Sequence, residues 1–264
     1  MTALFDLARV TYRYDRVVAL EALTLSIAGG TRVALVGANG SGKSTLLRLL
    51  DGLVFPADGV LRFDGTVLDE TCFADDTFAS AFRRRVGLVF QNPDVQLFNP
   101  SVFEEVAFGP LQLGWSPAEV RDRVSGTLRS MRLSQIADRP PHHLSGGEKK
   151  RVALASVLVM DPDVLLLDEP TATLDPRSQS EIIDLLVDWS GGRRTVVTAT
   201  HDLGLIEDVS DRCLVFDGGR LVADRPPSEV LADLDLLQRT NLVHAHRHRH
   251  GSTFTHSHAH VHRP

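Results

Sequence analysis

An apolar run, Arg32-Val-Ala-Leu-Val36, leads straight into Gly37-Ala-Asn-Gly-Ser-Gly-Lys-Ser44, and a helical pattern occupies Lys43 to Leu50. This succession of strand, glycine-rich loop and helix constrains the fold more than any other segment. Such a loop binds phosphate at the carboxyl end of a buried strand, where backbone N–H groups and a helix N-terminus converge. Gly37, Gly40 and Gly42 let those N–H groups turn inward, and Asn39 and Ser41 complete the loop. Lys43 reaches the β and γ phosphates of a nucleotide, Ser44 ligates Mg²⁺, and Thr45 follows in the first helical turn. The alternative is a glycine-rich turn without a ligand, which leaves the strand and helix context unexplained.

Five further segments fit a phosphate-transfer site. Val164-Leu-Leu-Leu-Asp168-Glu169 is an apolar strand that delivers two acids to its end. Asp168 then holds the Mg²⁺ shell while Glu169 orients or deprotonates the attacking water. Gln91 ends the apolar run Val86 to Phe90, and His201 ends Thr195 to Ala199. A glutamine there reaches Mg²⁺ and water, and a histidine contacts a γ-phosphate; taken alone, either residue is more often a surface residue or cap, and only the order of motifs reverses that. Tyr12 and Tyr14 precede an apolar strand, and Tyr14 is the candidate for stacking on a base, with cross-strand packing as the alternative. Finally, Leu144-Ser-Gly-Gly-Glu148 opens a helix through Val152, Leu154 and Leu158, with Ser145 and Glu148 spaced as a capping box. Two glycines in a first helical turn cost about 0.8–1 kcal/mol each relative to alanine. A cap alone does not require that cost, whereas bare N–H groups approaching a phosphate do.

The remaining pattern predicts an α/β core with a largely parallel sheet. Strands are expected near Leu4 to Val10, Leu23 to Ile27, Leu61 to Phe63 and Cys213 to Phe216, besides those named above. Between about residues 92 and 145 the character becomes helical, with Ser116 as N-cap, Pro117 at the first position, and Val120, Val124, Leu128 and Met131 on one face. At 264 residues and 43% hydrophobic composition, residues 1–240 suffice for one large domain. At a formal net charge of −6 no basic field advertises nucleic acid as the main partner, although the last twenty residues are locally basic, so nucleic acid is not the expected partner. Cys72 and Cys213 lie in no metal or disulfide pattern and read as reduced thiols of the cytoplasm. The N-terminus lacks a leader pattern, and no stretch approaches the roughly 20 apolar residues of a membrane span. If the chain drives transport, another subunit supplies the pore.

The ordered set Tyr14, Gly37 to Ser44, Gln91, Leu144 to Glu148, Asp168-Glu169, Asp175 and His201 resembles the nucleotide-binding subunit of ATP-binding cassette (ABC) transporters. Segments 86–98 and 106–110 look like the energy-coupling factor branch, particularly its cobalt and nickel importers. The resemblance implies a P-loop NTPase core with an N-terminal antiparallel β subdomain and an inserted α-helical subdomain. It also implies ATP and Mg²⁺ as ligands and a head-to-tail dimer, either a homodimer or a heterodimer with a paralogous ATPase. Ser145, Gly146 and Gly147 of one copy would face the γ-phosphate held by the other, with Asp175 across the same interface. A transmembrane coupling subunit and a substrate-binding membrane subunit are the implied partners, and the chain would sit peripherally at the cytoplasmic face. Phe98 and Phe103 would border a groove for the coupling subunit's helix, with core packing the alternative. The chain departs from the common pattern at Glu148, often glutamine in the family, and at Thr173.

Residues 241–264 form a histidine-rich tail, expected to be disordered. Eight of the eleven histidines fall there, at His244, His246, His248, His250, His256, His258, His260 and His262. Neutral imidazole suits nickel, cobalt, zinc and copper ions, and the tail has no acidic or cysteine ligand. The reading is an ATPase that energises uptake of cobalt or nickel. The alternatives are a vitamin importer of the same kind, or a soluble ATPase carrying a metal-storage tail.

Overall fold

The computed structural model describes residues 3–191, 194–250 and 254–261, with side chains up to Val243. The chain begins β1 (Ala3–Tyr14), β2 (Val17–Ala28), β3 (Arg32–Val36), α1 (Lys43–Leu50), β4 (Asp58–Phe63) and β5 (Thr66–Val67). Next come α2 (Glu70–Phe73), α3 (Asp76–Arg85), β6 (Val86–Val89), α4 (Val102–Gln112), α5 (Pro117–Ser130) and α6 (Gly146–Leu158). The second half runs β7 (Val164–Asp168), α7 (Pro176–Ser190), β8 (Thr195–Thr200), α8 (Ile206–Val209), β9 (Arg212–Asp217) and β10 (Arg220–Arg225). It finishes with α9 (Pro227–Ala232), α10 (Leu234–Arg239), β11 (Val243–His250) and β12 (Phe254–Val261).

Two sheets divide the body. Strands β2-β1-β4-β5 form an antiparallel sheet, with one buried face and one solvated face. The other sheet has the order β10-β9-β3-β8-β7-β6, parallel throughout except at the β9–β10 hairpin. Its central strands are buried on both faces, which is why β3 and β7 read as nearly unbroken apolar runs, while β8 buries threonines among its apolar residues. The fold class is the α/β P-loop architecture anticipated from sequence.

One apolar core lies between the sheets, where Phe5, Leu7 and Ile27 meet Leu35, Leu46 and Leu50. A second joins α4, α5 and α6 to the far face of β6 and β7 through Val106, Val124, Leu154 and Leu165. Burying each such leucine stabilises the fold by about 1.5–3 kcal/mol. Val120, Val124, Leu128 and Met131 are buried as the periodicity predicts, and Ser116 with Glu119 closes a reciprocal cap at the start of α5. The buried carboxylate of Glu105 on α4 accepts from Phe98 N at 2.8 Å and Asn99 N at 2.7 Å, fixing that turn to the helix.

Some features differ from expectation. Tyr12 and Tyr14 precede the strand β2 as expected, but they are themselves the end of β1, because the β1–β2 hairpin extends to Tyr14 opposite Val17. Helices α2 and α3 were not anticipated; they are organised around Phe73, Phe78 and Phe82, whose rings pack edge to face or stacked. Both cysteines are free: Cys72 is half-buried, and burial pushes the Cys213 thiol up to about 12. In the tail, β11 and β12 pair antiparallel where a disordered segment was expected, with His244 opposite His260, His246 opposite His258 and His248 opposite His256. A two-residue histidine spacing is also the side-chain period of a strand. His262 lies outside the described residues.

Candidate functional site: a nucleotide cleft at the strand ends

Strands β3, β7 and β8 run parallel and adjacent, so the segments that follow them emerge at one edge of the sheet. The loop after β3 owes its path to crowding. A Cβ on Gly42 would sit 2.6 Å from Ala19 O and 2.8 Å from a Leu20 methyl, and φ there is +103°. Gly37 is packed against Phe216 O and Ser41, leaving no room for a side chain. Helix α1 has no side-chain cap at Gly42 and no acid in its first turn, so none of its own side chains neutralises its positive end.

Lys43 is buried, and its Nζ arches over the loop to donate to Gly37 O at 2.6 Å and Ala38 O at 3.2 Å. Desolvation lowers its pKa, opposed by the charges of Glu169 and Asp168. Ser44 Oγ donates to Asp168 Oδ1 at 3.0 Å. Glu169 is buried with φ of +46°, and its N–H donates to Ala199 O at 2.9 Å. Its Oε1 lies 2.8 Å from His201 Nδ1, which joins the end of β7 to the end of β8. Tyr14, Asn39, Gly40, Ser41, Gly42, Lys43, Ser44, Thr45, Gln91, Asp168 and Glu169 line one cleft of about 440 Å³. Tyr14 OH accepts from Arg48 at 2.9 Å and its ring stands edge-on to Tyr12.

A family model described as ABC transporter matches residues 20–172. The nickel import ATP-binding protein NikO of Rhodobacter capsulatus is 54% identical over 246 residues, covering 92% of this chain and 97% of that protein. The chain belongs to the ABC transporter family. Among solved structures, cbiO1 of Clostridium perfringens, part of the ABC transporter complex cbiONQ, superposes with a TM-score of 0.77. It is 37% identical, over 92% of this chain and 96% of that one. The ATP-binding cassette MJ0796, solved as a dimer in a post-hydrolysis state bound to ADP and Pi, has a TM-score of 0.75. Its identity is 29%, with 84% of this chain and 98% of that chain covered.

Not every candidate residue of this ABC chain lines the cleft. Ser145, Gly146, Gly147 and Asp175 form a separate group. Ser145 caps α6: Ser145 N and Oγ each donate to Glu148 Oε2 at 2.8 Å, and Glu148 N donates to Ser145 Oγ at 3.3 Å. Those bonds hold the Glu148 carboxyl below its ordinary pKa. Asp175 caps α7, accepting from Arg177 N and Ser178 N at 3.1 Å and from Ser178 Oγ at 2.6 Å. The hydrogen bonds from Ser178 lower its pKa. Ser178 Oγ would stand 2.9 Å from a Cβ on Gly147, so the starts of α6 and α7 abut. A Cβ on Gly146 would meet nothing within 4 Å.

Sequence reasoning overlooked two contributors. Val17, Val18 and Ala19 of β2 wall the cleft beside Tyr14; only the fold brings that hairpin beside the loop. Lys150 is buried on α6, and its Nζ donates to Phe90 O at 3.1 Å and Gln91 O at 2.8 Å. Burial lowers its pKa to about 8 against the pull of Asp168 and Glu169. In sequence Lys150 stands between Lys149 and Arg151, and only the apolar run that follows at Val152, Ala153 and Leu154 hints at a buried helix.

Proposed function

We propose that this chain is the ATP-hydrolysing subunit of an importer of the energy-coupling factor kind, peripheral at the cytoplasmic face, that powers uptake of nickel or cobalt ions. The observation that carries the ion assignment is its 54% identity with a nickel import ATP-binding protein along nearly the full length of both chains. The absence of any helix, among the described residues, long and apolar enough to cross a membrane supports a separate pore-forming partner.

In this reading the N–H groups of Gly37 to Thr45 and the Lys43 ammonium bind the ATP phosphates, and Tyr14 supports the adenine. Ser44 Oγ and Asp168 Oδ1, 3.0 Å apart, are hard oxygen donors that fit Mg²⁺, with Gln91 as a further oxygen donor. Mg²⁺, when bound, supplies neutralisation of phosphate charge. Glu169 accepts the proton of the attacking water, held by His201 at Oε1 and by its own N–H on Ala199 O. His201 contacts the γ-phosphate. Ser145, Gly146, Gly147 and Asp175 act on the ATP held by a partner copy, identical or paralogous, which agrees with their position outside the cleft of their own chain.

Phe98 is 66% exposed and stands edge-on to Phe108. Phe103, Phe108 and Leu111 line a groove of about 350 Å³, offered to the transmembrane coupling subunit, with a substrate-binding membrane subunit alongside. The tail histidines take a transition-metal ion, which facing histidine positions on β11 and β12 favour. The test is uptake of labelled Ni²⁺, Co²⁺ and Zn²⁺ by vesicles carrying the intact complex, with and without ATP. ATP-dependent accumulation of Ni²⁺ or Co²⁺ is expected; accumulation of none of them removes the ion assignment.

A further inference from the structure

Lys150 is 2% exposed, in a position where a leucine or methionine would complete the apolar face of α6. A buried ammonium is costly unless its protons are taken up. Here two successive carbonyls accept them, Phe90 O and Gln91 O, at the point where the chain leaves β6. The loop beyond is tied to α6 twice more. Gln96 Oε1 accepts from Phe90 N at 3.2 Å while its Nε2 donates to Ala153 O at 2.9 Å and Ser156 Oγ at 3.1 Å. Lys149 Nζ pairs with Asp94 at 2.7 Å. Of these three ties, that of Lys150 alone reaches Gln91.

We propose that Lys150 is a positioning residue for Gln91: by bonding Phe90 O and Gln91 O from α6, it sets where the Gln91 side chain stands in the cleft. The proposal rests on the reading of Gln91 as a residue that reaches Mg²⁺ and water. It gives α6 two duties, since the helix that begins with Ser145, Gly146 and Gly147 also fixes the loop of its own chain's phosphate site. A displacement of α6 at the partner's nucleotide would therefore move Gln91 at the first.

Lys150→Met keeps the stem of the side chain and removes its donors, whereas Lys150→Gln keeps two donors. In the full-length chain, Lys150→Met is expected to lower kcat about tenfold with KM for ATP within about twofold. Binding of a fluorescent ATP analogue in excess chelator should stay within about twofold, while the gain in affinity on adding Mg²⁺ falls about fivefold. Lys150→Gln should recover most of the loss. In a Gln91→Ala background Lys150→Met should change kcat less than about twofold, since residues acting as a unit are not additive.

An unchanged Lys150→Met chain overturns the proposal, as do equal losses in the Met and Gln chains or a full additive loss in the Gln91→Ala background. Where Gln91→Ala is impaired and Lys150→Met is not, the positioning role fails alone. Where Gln91→Ala is itself unimpaired, the reading of Gln91 fails and takes this proposal with it. If Lys150→Met does not fold, Lys150→Gln carries the test: a loss confined to chains that retain Gln91 supports the proposal, and an equal loss without Gln91 overturns it.

Discussion

Two glycine-rich segments open helices in this molecule, and their glycines answer to different pressures. At the start of α1, Gly37 and Gly42 are demanded by the chain's own packing, since Phe216, Ala19 and Leu20 occupy the space a side chain would need. At the start of α6, Gly146 has open space around it, while helix propensity favours almost any other residue. The first loop is therefore shaped from within the molecule, and the bareness of Gly146 finds no cause within its own chain. On the function proposed above, a surface that has to admit a ligand held elsewhere would supply that cause.

The largest effect expected is on chemistry. Glu169→Gln should lower steady-state ATP hydrolysis by about 100-fold or more while ATP binding persists. Dimer should then accumulate with ATP in size-exclusion chromatography, joining the two glycine segments across one nucleotide. Normal hydrolysis by that variant would strip Glu169 of its role, and a chain that stays monomeric with bound ATP would undo the shared-site reading of α6.

The next test sets the two glycines against each other. Gly42→Ala should destabilise the fold by about 2 kcal/mol, from a positive φ and contact with Ala19 O, visible as a drop in Tm. Gly146→Ala should leave Tm unchanged or raise it, because alanine is favoured by about 0.8–1 kcal/mol in a helix, yet cost about tenfold in ATP hydrolysis. Equal losses of Tm in the two variants would erase the distinction.

The smallest effect concerns the cap of α6. The Glu148 pKa is depressed in the folded chain by the hydrogen bonds from Ser145. Its contribution is thus fully present above the ordinary glutamate pKa and is lost as pH falls through the lower folded value. Glutamine also satisfies the capping geometry. Glu148→Gln should therefore leave Tm near neutral pH slightly changed and flatten its decline on the acid side; an unchanged acid limb would show that the carboxylate plays no part there.

Much of this arrangement was legible in the residues because it is local. Arg32 to Leu50 announces its strand, loop and helix within nineteen consecutive positions, and the four apolar residues before Asp168 mark a buried strand with acids at its end. The cap formed by Ser145 and Glu148 needs only a three-residue spacing. What escaped the reading depends on distant partners. Ala19 matters because its carbonyl touches the space above both Gly42 and Gly219, and no periodicity in β2 announces that. Lys150 looks like one more charge in a basic triplet until α6 is laid against the end of β6. The helices around Phe73 and Phe82 are short, and the aromatic packing that organises them joins residues from α2, α3 and β4.

The turn at Phe98 also has a mechanical meaning. Because Glu105 grips two successive N–H groups there, the exposed ring is bolted to α4 rather than carried on a slack loop. A force applied to that ring would reach α4 through the Glu105 carboxylate and through the edge contact with Phe108.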